Sequence, residues 1–285
     1  MGERSLRIAY CLLVHKNPDQ VSRLIEKIYS PSDYFYINVF KTNETGPLAC
    51  WKNIASKHGE NLVVASKYGS SRGTIRLPIA NLDAMRSFSE FQYDYFVNLS
   101  GQCYPLKPIT QIKEYLKRKS VAHIEHFSLP STKVDWGPRG GLDRINYRWF
   151  RFGGRDIRVP RLTKNLPYNM HPYGGSQWFC LPKRHIDYVL DFVSRNPKIL
   201  GFYKRSLIAE EMVFQTIIMN SPLKNEVVNK DEWYIDWSRA RDGHPPILTK
   251  TDLPLLLASG KLFARKFDVT VDSEVLDLID NESAA

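Results

Sequence analysis

The chain has 285 residues, 43% of them hydrophobic and 25% charged, and carries a net charge of +10. That composition suits a folded globular protein and excludes disorder, collagen or a coiled coil as the main state. No stretch reaches the roughly 18 uninterrupted apolar residues that span a bilayer, and the run Ile8 to Val14 has no small-residue cleavage site behind it, so neither anchor nor signal peptide is expected. In chain order, Arg7 to Val14 reads as a buried strand. Asn17-Pro18-Asp19-Gln20 then starts a helix, with Asn17 capping, Pro18 first and Gln20 reaching back. Val21, Leu24, Ile25 and Ile28 follow at helical spacing. Strands are predicted over 34–39, 62–65, 95–99 and 121–124, and helices over 78–88 (Ile79, Leu82 and Met85 inward) and 109–117. Ser100 to Pro105 reads as turns. This alternation predicts an α/β fold with a central, mostly parallel sheet flanked by helices. It breaks between Ser128 and Tyr173, a stretch rich in Arg, Gly, Pro and aromatics that reads as an ordered, loop-rich insertion over a cleft. A strand over 177–181, helices over 185–193 and 208–219, and a capped tail helix over 273–279 complete the pattern.

The positive surplus favours anionic partners: nucleic acid, acidic lipid or phosphorylated small molecules. Cys11, Cys50, Cys103 and Cys180 are widely spaced, with no C-x-x-C pair; neither zinc nor a disulfide framework is expected, and a reducing cytosol fits. The chain holds no G-x-x-x-x-G-K-[ST], no H-E-x-x-H, no G-x-S-x-G, and no G-x-G-x-x-G after the first strand. It also lacks D-x-D; the nearest match, Asp272-Ser273-Glu274, opens the tail helix, where acids serve the helix dipole. The same plain role fits Glu210-Glu211. On a helix, however, Glu211 would lie beside Leu207, Ile208, Phe214 and Gln215, a partly apolar setting suited to a general base, with Glu210 pointing elsewhere. Basic residues gather late, at Arg239, Arg241, His244, Lys261, Arg265 and Lys266. In an extended segment Arg265 and Lys266 face opposite sides, so one enters a cleft and the other meets solvent; a solvated surface strand is the alternative. Trp136, Trp149, Trp178 and Trp237, with Tyr147, Tyr168 and Tyr173, are either core or stacking platforms, and Trp178 suits a cleft because Gly175 and Ser176 permit close approach. Ligands of an open α/β sheet bind beyond the carboxyl ends of its strands, here the turns at Val14-His15-Lys16-Asn17, Asn38-Val39-Phe40-Lys41 and Ser100-Gly101-Gln102.

Several segments together resemble the core-2/I-branching β-1,6-N-acetylglucosaminyltransferase family, with its peptide O-xylosyltransferase and plant glucuronosyltransferase relatives. They are IAYCLLVHKNPDQVSRLIEKIYSPSDYFYINV (8–39), YFVNLSGQCYPLKP (95–108), GGSQWFCLPKRHIDYVL (174–190), AEEMVFQTIIMNSP (209–222), YIDW (234–237) and HPPILTKTDLPLLLASGKLFARKFD (244–268). The resemblance implies a GT-A-like single domain over 1–285, with a nucleotide-sugar half (1–127), the cleft insertion (128–173) and an acceptor and catalytic half (174–285). It implies inverting, metal-independent transfer from a UDP-sugar to a glycan hydroxyl, with no cofactor and no metal. Glu211 would be the base, and Lys266 would meet the diphosphate with Arg241 or His244, Arg239 remaining open. On the donor side stand Val14, His15, Asn38, Phe40, Ser100 and Gly101; on the acceptor side, Glu125, Ser176, Gln177, Trp178 and Glu210. Three departures stand out: Asn38-Val39-Phe40 where the family reads His-Val-Asp, Cys103 for Asp in Gly-Gln-Asp-Tyr-Pro, and Arg72-Gly73 for Trp-Gly. Animal members are Golgi proteins with anchors and disulfides, so the chain looks like a bacterial relative. The expectation is a cytoplasmic enzyme, peripheral at most to the inner membrane face through anionic lipid, that builds surface polysaccharide or lipopolysaccharide. Two alternatives stand beside it. Charge and aromatics suit a nucleic-acid-binding protein, although the basic residues are dispersed and no binding motif occurs, so no nucleic-acid partner is expected. Phe40 and Cys103 suit a lapsed, glycan-binding relative.

Overall fold

Seven consecutive apolar residues, Ile8–Val14, are buried throughout and form β1 at the middle of a parallel sheet. In the computed structural model, which describes residues 4–69, 73–152, 155–163, 165–241 and 243–282, β1 is joined by β2 (Tyr34–Val39), β3 (Leu62–Ala65) and β4 (Tyr95–Ser100). Their order is β4–β1–β2–β3, all parallel. Strands covered on both faces need near-continuous apolar runs, which is how these segments read. Leu13 pairs with Asn38 on one side and Ser100 on the other, so the carboxyl ends finish level.

The helix α1 (Pro18–Ile28) buries Val21, Leu24, Ile25 and Ile28, as their spacing requires. Its start departs from expectation. Asn17 is left-handed (φ 53) and makes no capping bond; its amide donates to Asp268 at 2.8 Å. The Gln20 amide donates to the Gly101 and Phe267 carbonyls at 2.7 and 3.2 Å. Tertiary bonds therefore replace the predicted capping box. At the other end of β1, the buried Asp33 carboxylate accepts from the Ile8 N–H at 2.9 Å and from Lys113 at 2.8 Å. Burial pushes this carboxyl up, against the pull of Lys113 and the Ile8 N–H.

The chain forms two compact units, one of residues 1–69, 92–120 and 232–285 and one of 70–91 and 121–231. The first holds β1–β4 and a three-stranded sheet in the order Trp233–Ile235, Phe263–Arg265, β5 (Cys103–Pro105). The stretch read as turns over 100–105 is thus a turn followed by a strand. In the second, Ala122–Ile124 pairs parallel with Val227–Val228 and antiparallel with Phe179–Pro182. The segment over 128–173 is less loop-like than its composition suggests: it holds the helix Asp143–Asn146 and an antiparallel hairpin, Tyr147–Phe152 with Arg155–Pro160.

The single helix predicted over 208–219 is broken. Ala209–Glu211 is one 3₁₀ turn, and the helix proper is Val213–Met219. Ile208 stands at φ 53, a region β-branched residues avoid, and its N–H donates to the Gly73 carbonyl at 2.9 Å. The short helices Leu48–Ser56, Lys198–Tyr203 and Leu253–Ala258 carry no periodic signal long enough to read. The fold is mixed α/β with mostly parallel strands and flanking helices, and no helix among the described residues is long and apolar enough to cross a membrane.

Candidate active site

In the first unit the strand ends are closed together by backbone bonds. The Phe40 N–H donates to the Val14 carbonyl at 2.8 Å, and the Gly101 N–H to that of Leu13 at 3.2 Å. The segment leaving Phe263–Arg265 arrives at this edge: the Phe267 N–H donates to the Gln102 carbonyl at 2.9 Å, and the Leu248 N–H to the Lys266 carbonyl at 2.8 Å. Main-chain bonds on both sides thereby fix Lys266. His15 feels the result. Burial and Lys16, then Lys266 and Arg265, hold its imidazole below the ordinary range, opposed by Glu44. Arg265 and Lys266 are both half-buried and both act on His15. The strand ends at Arg265, so strand alternation is not imposed on Lys266. Lys16 is paired with Asp268 at 2.6 Å. Burial alone would raise Asp268, yet bonds from Lys16, Thr270 and Asn17 hold its carboxyl well below the usual carboxylate range.

Among the late basic residues, Arg239 bridges Asp236 and Asp252, each at 2.5 Å. Arg241 and His244 close an exposed turn through backbone bonds of 3.0 and 2.9 Å, and no ion pair of Arg241 falls among the described residues. The other donor-side residues are mostly interior. Val14, Asn38 and Phe40 are buried. The Asn38 amide lies 3.9 Å from Cys11 Sγ, whose thiol burial pushes up, and Phe40 packs on Tyr68. Ser100 Oγ accepts from the Gln102 N–H at 3.2 Å and hydrogen-bonds Cys103 Sγ at 3.3 Å. A Cβ at Gly101 would meet Val21 at 2.8 Å, so this glycine serves packing of α1 on β4. Cys103 is buried too, so the Phe40 and Cys103 departures are internal substitutions; Arg72 lies outside the described residues.

In the second unit, Glu211 Oε2 accepts from Arg144 Nη1 at 2.6 Å. The Arg144 guanidinium lies 3.3 Å from the centroid of the Trp136 ring, a cation–π contact. Two glycines seat that ring: a Cβ would come within 2.4 Å of it at Gly174 and 2.8 Å at Gly141. A Cβ on Gly175 would lie 1.8 Å from the Glu125 carbonyl oxygen, and the Gly175 N–H donates to the Glu211 carbonyl at 2.9 Å. Arg144 thus links Glu211 to the Trp136 ring, and Gly175 links its backbone to that of Glu125. Its side chain keeps 22% exposure, and no hydrogen bond to Oε1 falls among the described residues. The apolar helical neighbours expected around Glu211 are replaced by this ion pair, because the turn is 3₁₀ and helical spacing does not apply.

Glu210 turns inward, and its Oε1 accepts from the Gly73 N–H at 2.9 Å; with the Ile208 bond this clasps the left-handed residue. The Ser176 carbonyl accepts from the Gln215 amide at 2.5 Å, and its hydroxyl accepts from the Trp178 N–H at 3.3 Å. Gln177 and Glu125 are half-buried. Trp178 is only 3% exposed, which leaves no face for stacking; the close approach at Gly175 is to the Glu125 backbone instead. The reading from sequence missed Arg144 altogether, because its partner lies 67 residues away. The only signal was indirect, in the paired glycines 174 and 175. Among the described residues no three His, Cys, Asp or Glu side chains gather as metal ligands.

This arrangement offers one acid with an anchored oxygen and an open one, and separately a set of cations pinned at a sheet edge. Mouse xylosyltransferase 2 is 25% identical over 308 residues, covering 98% of this chain and 34% of its own length. Human xylosyltransferase 1 is 25% identical over 315 residues, covering 98% and 31%. The chain therefore spans about a third of these relatives. A crystal structure of GalNAc-T7 with UDP, GalNAc and Mn2+ gives a TM-score of 0.34 at 12% identity, over 65% of this chain and 36% of that one. The model of the Core-2/I-Branching enzyme family matches residues 8–253. With most of its length so matched, the chain belongs to the core-2/I-branching enzyme family.

Proposed function

We propose that this protein is an inverting glycosyltransferase that moves a sugar from a nucleoside diphosphate donor, a UDP-sugar, to a glycan hydroxyl. The observation that carries the reading is Glu211, held through one oxygen by Arg144 while the other stays open. In the proposed step Glu211 takes the proton of the acceptor hydroxyl. That oxygen bonds to the anomeric carbon as the bond from this carbon to the diphosphate oxygen breaks, and the diphosphate departs with the electron pair. Lys266, with Arg241 and His244, stabilises the charge that develops on it. Arg239 is the weaker candidate because two carboxylates already engage it. The relatives' names put xylose among the sugars to test, alongside hexoses. The product fits surface polysaccharide or lipopolysaccharide synthesis, and the protein acts in the cytoplasm.

The test is transfer by Glu211→Gln, with donor binding followed by thermal shift across a panel of nucleotide sugars. The variant keeps donor affinity and loses about 10²–10⁴-fold in turnover; wild-type turnover would remove Glu211 from the role. Chelator leaves the wild-type rate unchanged, since side-chain cations carry the diphosphate; loss of activity restored by manganese would overturn that part.

A further inference from the structure

The hairpin of Tyr147–Phe152 and Arg155–Pro160 has two unlike faces. On one, the Arg158 guanidinium lies 4.7 and 5.8 Å from the rings of Tyr147 and Trp149, and the Trp149 indole N–H donates to the Asp143 carbonyl at 3.1 Å. On that face Tyr147 and Trp149 are half-buried against their own chain. On the other, Arg148 pairs with Val159 and Phe150 with Ile157, and Arg155 stands on the same side. Phe150, Ile157 and Val159 are 37%, 48% and 49% exposed, and their cross-strand pairing makes one continuous strip. A two-stranded ribbon that turns its aliphatic side chains to water forgoes the burial that stabilises it. A contiguous strip of this kind marks an interaction surface.

Charge selects the partner. Residues 147–163 hold five arginines and one aspartate, and Asp156 stands on the face of Tyr147 and Trp149. Arg205 adds a cation 4.7 Å from the Phe150 ring. Burial, then the field of Arg148, pushes the neighbouring Arg161 down to about 10. No ion pair of Arg148, Arg155 or Arg205 falls among the described residues. Aliphatic side chains rimmed by guanidinium groups match a surface in which anionic phosphates overlie hydrocarbon: the strip enters the acyl boundary and the arginines meet phosphate oxygens. A nucleic acid would satisfy the arginines and leave the valine and isoleucine in water. We infer that the open face of this hairpin docks the protein on an anionic lipid bilayer.

The experiment is co-sedimentation of the full chain with vesicles of phosphatidylcholine alone or with about 30% phosphatidylglycerol. It needs neither donor nor acceptor, so its outcome is separate from that of the transfer assay. Binding is expected to the mixed vesicles and not to the neutral ones. Ile157→Asp with Val159→Asp abolishes it, and Arg148→Gln with Arg155→Gln lowers it about thirtyfold, at roughly fivefold per cation. Val271→Asp, at an exposed apolar residue of the other unit, leaves it intact. Circular dichroism and Tm confirm that each variant folds; should the aspartate pair not fold, the glutamine pair decides. Equal binding to neutral vesicles, undiminished binding by the folded variants, or no binding at all overturns the inference. So does a dimer in light scattering, or nucleic-acid binding without vesicle binding, that the same substitutions abolish.

Discussion

At the end of β1 Lys266 is held by main chain: it sits between backbone bonds from Leu248 and to Gln102, and its field reaches His15. Around Glu211 the acid is held by side chains: Arg144 grips the carboxylate, Trp136 lies under Arg144, and glycines make room for the ring. Under the proposed function the two regions solve different problems. A leaving diphosphate is a diffuse charge, and cations on a rigid edge can face it without individual aim. A base must present one oxygen in one direction, and that takes a partner for the other oxygen. The second region also depends on shapes that a single methyl group would spoil.

The sharpest way to break this contrast is at Gly175. Gly175→Ala places a methyl group against the Glu125 carbonyl and should cost about 3 kcal/mol or more in chemical denaturation, whereas Glu211→Gln leaves stability unchanged. A silent Gly175→Ala would mean that the second region is not built on close approach. In the first region, Lys266→Ala should lower turnover about 100-fold and Arg239→Ala, whose charge is engaged by Asp236 and Asp252, should change it little; the reverse order would reassign the diphosphate cation. Arg144→Ala should lower kcat about tenfold while donor KM holds within about twofold, with partial recovery in added guanidinium, as a positioning role predicts. A change in donor KM alone would place Arg144 on the donor instead.

The smallest effect is with pH. Burial, then Arg184, pushes the His185 imidazole down to about 4, and His15 lies below its ordinary range as well. Both are held neutral in the fold, so the unfolded chain binds their protons more readily. Their contribution is complete above the ordinary histidine range of about 6.5 and is lost as pH falls toward the folded values. His185→Gln should therefore flatten the fall of Tm between about pH 6.5 and 4 by the equivalent of roughly 2 kcal/mol, discounted for solvent around the ring. An unchanged slope would show that other groups govern acid unfolding.

Much of the first region could be read without coordinates. The apolar runs over 7–14, 34–39 and 95–99 are a local property, and parallel strands must place their loops at the carboxyl edge. Residue type was enough to mark Lys266 and Glu211 as carriers of charge. Sequence could not say which neighbours they meet. Burial put Asn38, Phe40, Cys103 and Trp178 inside the fold, although motif position had set the first two on the donor side and Trp178 in the acceptor cleft. Arg144 came to Glu211 from a distant segment, and a left-handed Ile208 broke the helix on which the acid was expected. Apolar spacing and charge identity are written along the chain, because they depend on residues a few positions apart. Ion pairs, ring seats and backbone clasps are decided only when remote segments pack, because their energies depend on distances that no local pattern specifies.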